Sequence, residues 1–141
     1  MSYAHEDEDK AKKLVEAIAP FHRVWIDGAI PPGRDWKQVI NREIRFCSTF
    51  LFLASVDSCC SDECHSEINY AIKCHKRIIP LILEDCHLRP DLARLQWIFL
   101  EDDFDEGVRS LLKELQPSPP YFWMGLSLVE AAVIVGLALW N

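Results

Sequence analysis

Three observations predict an α/β fold built on a doubly wound parallel sheet. Amphipathic helical periods alternate with short apolar runs as far as Gln116. Two of those runs, residues 49–54 (TFLFLA) and 77–83 (RIIPLIL), are almost continuously apolar, the pattern of strands buried on both faces. The joins between runs are polar or rich in glycine and proline, so each run is a separate element.

Ala11, Leu14, Val15 and Ile18 recur at i, i+3, i+4, i+7 and predict a first helix that Pro20 closes. Val24, Trp25 and Ile26 predict a short strand ending at Asp27, followed by the breaker-rich loop GAIPPGRD. Val39, Ile40, Ile44 and Cys47 mark a second amphipathic helix. After the strand at 49–54 come a polar loop, SVDSCCSD, and a helix over 62–75 with Cys64, Ile68, Ala71, Ile72 and His75 on one face. Pro80 implies an edge position or a bulge in the next strand, because proline cannot donate to a ladder. Residues 91–95 form at most a short helix, 96–100 (QWIFL) the last strand, and Val108, Leu111, Leu112 and Leu115 the closing helix. Right-handed crossovers then give a flavodoxin-like topology. Such a sheet carries its first strand in the middle, yet the chain opens on the segment after it, MSYAHEDED, so the expected domain start lies upstream of Met1.

Beyond the domain, 1–116, a stiff PSPP linker (117–120) leads into residues 121–140, where Glu130 is the only charge. At about 1.5 Å per residue this run spans a hydrocarbon core of about 30 Å. Tyr121, Phe122 and Trp123 at one end and Trp140 at the other suit two membrane interfaces. Glu130 favours the alternative, a buried helix completing a soluble core, since a mid-membrane acid costs at least about 2.5 kcal/mol. Length, aromatic ends and the sharp change of composition predict a single-pass transmembrane helix. Arg109 and Lys113 precede the run and no basic residue follows it, which predicts a cytoplasmic domain. The run ends next to the last residue, and a longer protein is expected.

Fifteen Lys and Arg against 22 Asp and Glu leave a net charge of −7, which argues against a nucleic-acid partner. The acidic runs HEDED and EDDFDE read as solvated helix starts and turns. Six cysteines show neither zinc-site spacing nor a disulfide framework, so reduced, half-buried thiols and no metal are expected.

Glu67 stands beside the apolar stripe of the 62–75 helix, where an unpaired carboxylate is costly. A surface glutamate leaning over that stripe is the bland alternative. The helix follows a buried strand, however, and the carboxyl edge of a parallel sheet is where such folds build their sites.

Four segments in this order carry a resemblance: MSYAHED, VWIDGAIPPGRDW, FLFLASVDSCCSDECHSEI and KRIIPLIL. Together they resemble a bacterial Toll/interleukin-1 receptor (TIR) domain over about residues 1–116. The resemblance implies cleavage of the nicotinamide–ribose bond of NAD+, as substrate rather than cofactor, in bacterial signalling or defence. It places the catalytic carboxylate at Glu67 and substrate contacts at Tyr3, His5, Asp27, Arg34, Trp36 and Glu63. Glu63 departs from the family, which often has a tryptophan there. The resemblance also implies self-association of TIR domains through the 28–35 loop, with Trp36 as an anchor; a core-facing Trp36 is the alternative. A single carboxylate suffices chemically, because nicotinamide leaves as a pyridinium and only an oxocarbenium-like sugar needs stabilising. Water would give ADP-ribose, and attack by the adenine a cyclic product. The rival readings are a non-catalytic TIR interaction module and a phosphate-binding or receiver domain. The receiver reading is disfavoured because no phosphate loop follows a strand, and the third strand ends in Ala54-Ser55 rather than a phospho-accepting Asp.

Overall fold

A computed structural model of the protein describes residues 1–26, 33 and 35–115. Among them, β1 (Thr49–Ala54), β2 (Arg77–Ile82) and β3 (Ile98–Phe99) form one parallel sheet in that order. Side chains alternate across a strand, so β1 divides its residues between two layers. Leu51 and Leu53 pack with Ala11, Leu14 and Ile18 of α1 (Glu8–Ile18) and Val108 and Leu111 of α6 (Phe104–Glu114). Phe50, Phe52 and Ala54 pack with Ile40 and Ile44 of α2 (Trp36–Phe46) and with Cys64, Ile68 and Ala71 of α4 (Asp62–Lys73). Two short helices, α3 (Val56–Cys60) and α5 (Pro90–Ala93), and a 3-10 turn at His5–Asp7 complete the described elements. Helices on both faces of this three-stranded parallel sheet agree with the α/β layering that the sequence predicts.

The expected strand at 24–26 does not form. Trp25 gains one bond there, its carbonyl accepting from the Met1 amino group at 2.7 Å. Ser2 makes an isolated parallel bridge to Phe52, donating its backbone N–H to the Leu51 carbonyl and accepting from the Leu53 N–H. Met1 and Ser2 thus lie between Trp25 and β1, in the mid-sheet position assigned to the first strand. One residue offers too short a ladder to hold 24–26 as a strand.

Two further expectations are corrected. Residues 55–62 are no plain loop, because Ser55 and Ser58 exchange side chain-to-backbone bonds in a capping box that starts α3. The next helix stops at Lys73 and not His75. His75 takes a left-handed conformation (φ 53°), and the His75 and Lys76 N–H groups bond back to the Ile72 and Ala71 carbonyls, a Schellman stop. His75 therefore leaves the helix, and Ile72 is 41% exposed instead of sharing the buried face.

Pro80 sits inside β2, which pairs on both sides. The Leu83 N–H bonds to Ala54 on the β1 side, and the Ile82 carbonyl bonds to Leu100 on the β3 side. By alternation, the Pro80 nitrogen faces β3, whose pairing begins only at Leu81. The strand is locally an edge at Pro80, and no ladder bond is lost.

The segment 121–140 predicted to cross the membrane lies outside the described residues. Among the described residues, no helix is long and apolar enough to do so.

Candidate functional site

The carboxyl edge of the sheet is assembled by residues that follow each strand. After β1, Ser55 caps α3, and the Val56 N–H is also taken by Glu84 Oε1, just after β2, at 2.8 Å. After Ser2, the 3-10 turn delivers Asp7 into the same place. Asp7 is 4% exposed, accepts a hydrogen bond from the buried Ser55 hydroxyl and lies 3.6 Å from Lys10 Nζ. The sequence missed this buried carboxylate, having grouped it with a solvated acidic run. Its signal is weak: Asp7 lies one helical turn before Ala11, the first buried residue of α1.

Beyond Ser55 a cleft of about 550 Å³ opens between α3 and the segment after β2, lined by Val56, Cys59, Cys60, Asp85, Cys86 and His87. All six cysteines are free thiols, most of them half-buried as expected, although Cys64 is buried and Cys60 exposed. No group of three or more metal-ligating side chains occurs among the described residues.

Glu67 occupies the second turn of α4 and is half-buried; Glu63, one turn earlier, is exposed. Both act on Cys64 between them: burial pushes its thiol up, and the two carboxylates add to the rise. The α4 layer packs on α2, whose first residue, Trp36, is 41% exposed and so does not face the core. Asp35 precedes it as N-cap, accepting from the Gln38 N–H. Tyr3 is half-buried against the opposite, α1–α6 layer. His5 is almost fully exposed, its ring 4.0 Å from Glu8. Asp27 and Arg34 lie outside the described residues. The fold therefore brings Glu63 and Glu67 together on one helix face, with Tyr3 on the other layer and His5 in solvent.

The sequence matches the TIR domain family over residues 1–112. The chain belongs to the TIR-domain family. No curated protein matches this TIR domain by sequence. Among solved structures, it is similar to the TIR domain of the Toll-related receptor TRR-2 from Hydra magnipapillata, with a TM-score of 0.67 at 18% identity. That match covers 79% of this chain and 92% of the other. It is also similar to the CMP N-glycosidase BcmB of Clostridium botulinum, with a TM-score of 0.57 at 18% identity over 78% and 92% of the two chains. At such identities these likenesses establish the fold alone.

Proposed function

We propose that this TIR domain cleaves the N-glycosidic bond of a nicotinamide nucleotide, NAD+, with Glu67 as the catalytic residue. The observation that carries the reading is a half-buried carboxylate on the second turn of α4, the second helix after β1. Likeness of fold to a CMP N-glycosidase supports the same class of bond, between a base and a ribose. The leaving nicotinamide takes the bonding electrons and becomes neutral, so no general acid is required. The Glu67 carboxylate faces the oxocarbenium-like ribose and offsets its charge, and water completes the hydrolysis to ADP-ribose and a proton. Attack by the adenine in place of water gives a cyclic form. Self-association and membrane placement through 121–140 belong to the same reading, since confinement raises the local concentration of domains that assemble.

A second reading, an interaction module without catalysis, is favoured by the apolar surface: Phe46 is 77% exposed, Phe21 57% and Phe99 55%. Base release from NAD+ and from CMP, measured over a wide dilution series with wild type and Glu67→Gln, separates the readings. The enzyme reading expects nicotinamide release that rises steeply with concentration and is lost in Glu67→Gln with the fold intact. Cytosine release from CMP alone would move the substrate, and base release from neither would leave the interaction module.

A further inference from the structure

Two of the cysteines that line the cleft beside α3 are neighbours in space. Cys59 closes the last turn of α3, and Cys86 lies 27 residues later in the segment after β2. The Cys59 thiol donates to Cys86 Sγ at 3.6 Å, close enough for side-chain rotation to bring the sulfurs to bonding distance. The Cys59 end is held: α3 by its capping box and by Glu84, from the segment that carries Cys86, on the Val56 N–H, and the Cys59 carbonyl by the His65 ring at 2.8 Å. Both cysteines face an open cleft, so a small oxidant reaches the pair without unfolding.

We propose that Cys59 and Cys86 are a modification site that closes to a reversible intramolecular disulfide, with a peroxide as oxidant. The Cys86 thiolate attacks one peroxide oxygen and the O–O bond breaks. The departing hydroxide takes a proton and leaves as water, and Cys86 becomes a sulfenic acid. Cys59 then attacks the Cys86 sulfur. The S–O bond breaks, and the second hydroxide leaves as water with the Cys59 proton. Two thiols lose two electrons and two protons, and one hydrogen peroxide becomes two waters. The order of attack follows from the hydrogen bond. Burial pushes the Cys59 thiol up to about 12, so it keeps its proton and donates it. Burial also raises Cys86, and the bond from Cys59 partly offsets that rise. The new bond would tie α3 to the segment after β2 and fix the cleft wall covalently. This inference is independent of any glycosidase activity.

The test is peptide mapping of the full chain after hydrogen peroxide, alkylation of remaining thiols and digestion without reductant. The expected product is a monomer with one peptide pair joined through Cys59 and Cys86, two hydrogens lighter and separated by dithiothreitol. Fragmentation between Cys59 and Cys60 locates the bond. Cys60→Ser retains it, and Cys59→Ser and Cys86→Ser each lose it. A Cys60–Cys86 linkage overturns the proposal, as do freely alkylated Cys59 and Cys86 when the exposed Cys60 is already oxidised. If a variant does not fold, the wild-type fragment ions decide the matter alone.

Discussion

Asp7 and Ser55 lie 48 positions apart in sequence and share a buried hydrogen bond, with the Ser55 hydroxyl donating to Asp7 Oδ2. That bond joins the turn before α1 to the cap of α3 and so pins the carboxyl edge of the sheet from two sides. Ser55 also takes part in the capping box with Ser58, which makes Asp7 the outer support of a fully buried polar group.

Asp7→Ala should therefore lower the free energy of unfolding by about 2 kcal/mol, within the range of hydrogen bonds to charged groups. Urea denaturation of wild type and variant measures it. A change below about 0.5 kcal/mol, the ordinary surface value, would mean that Ser55 finds another partner.

Gly107 should not tolerate alanine. A Cβ there would stand 2.4 Å from the Phe99 carbonyl oxygen and 2.5 Å from Leu100 Cδ2, where α6 crosses β3. Alanine gains about 1 kcal/mol of helix propensity. The backbone oxygen cannot rotate away, so overpacking of about 1–3 kcal/mol outweighs that gain. Thermal denaturation should show a lower Tm for Gly107→Ala, and an unchanged or higher Tm would refute the packing argument.

Thiol labelling should be ordered by burial. With the Cys59 thiol pushed up to about 12 by burial and by Cys86, only about one molecule in ten thousand carries its thiolate at pH 8. Cys60 is exposed. Iodoacetamide followed by mass spectrometry should modify Cys60 well before Cys59. Equal rates would show that α3 opens in solution.

The segment 121–140 should hold the full-length protein in the membrane pellet after a carbonate wash. Its 20 residues with one acid and aromatic ends motivate the expectation. Recovery in the soluble fraction would return the run to a soluble core.

The amino-acid sequence by itself determined the layer order, because local periodicity reports which face of each element is buried. TFLFLA matches β1 residue for residue, and Ala11, Leu14 and Ile18 are fully buried as their spacing predicts. It also put Glu67 on a helix after β1, since the strand and the helix are adjacent in the chain. What depends on contacts across the sequence was settled only by the tertiary structure. Residues 24–26 have strand composition, but a strand exists only where a neighbour supplies a ladder; Trp25 packs on the α2–α4 layer and its carbonyl accepts from the Met1 amino group, with no ladder formed. Asp7 looks solvated among acidic neighbours until Ser55, from a distant element, takes its carboxylate inside. Pro80 implies an edge position or a bulge, and the short β3, paired only from Leu81, decides for a local edge. Cys59 and Cys86 have no sequence spacing to connect them; two successive parallel strands end side by side, and that brings the two sulfurs together.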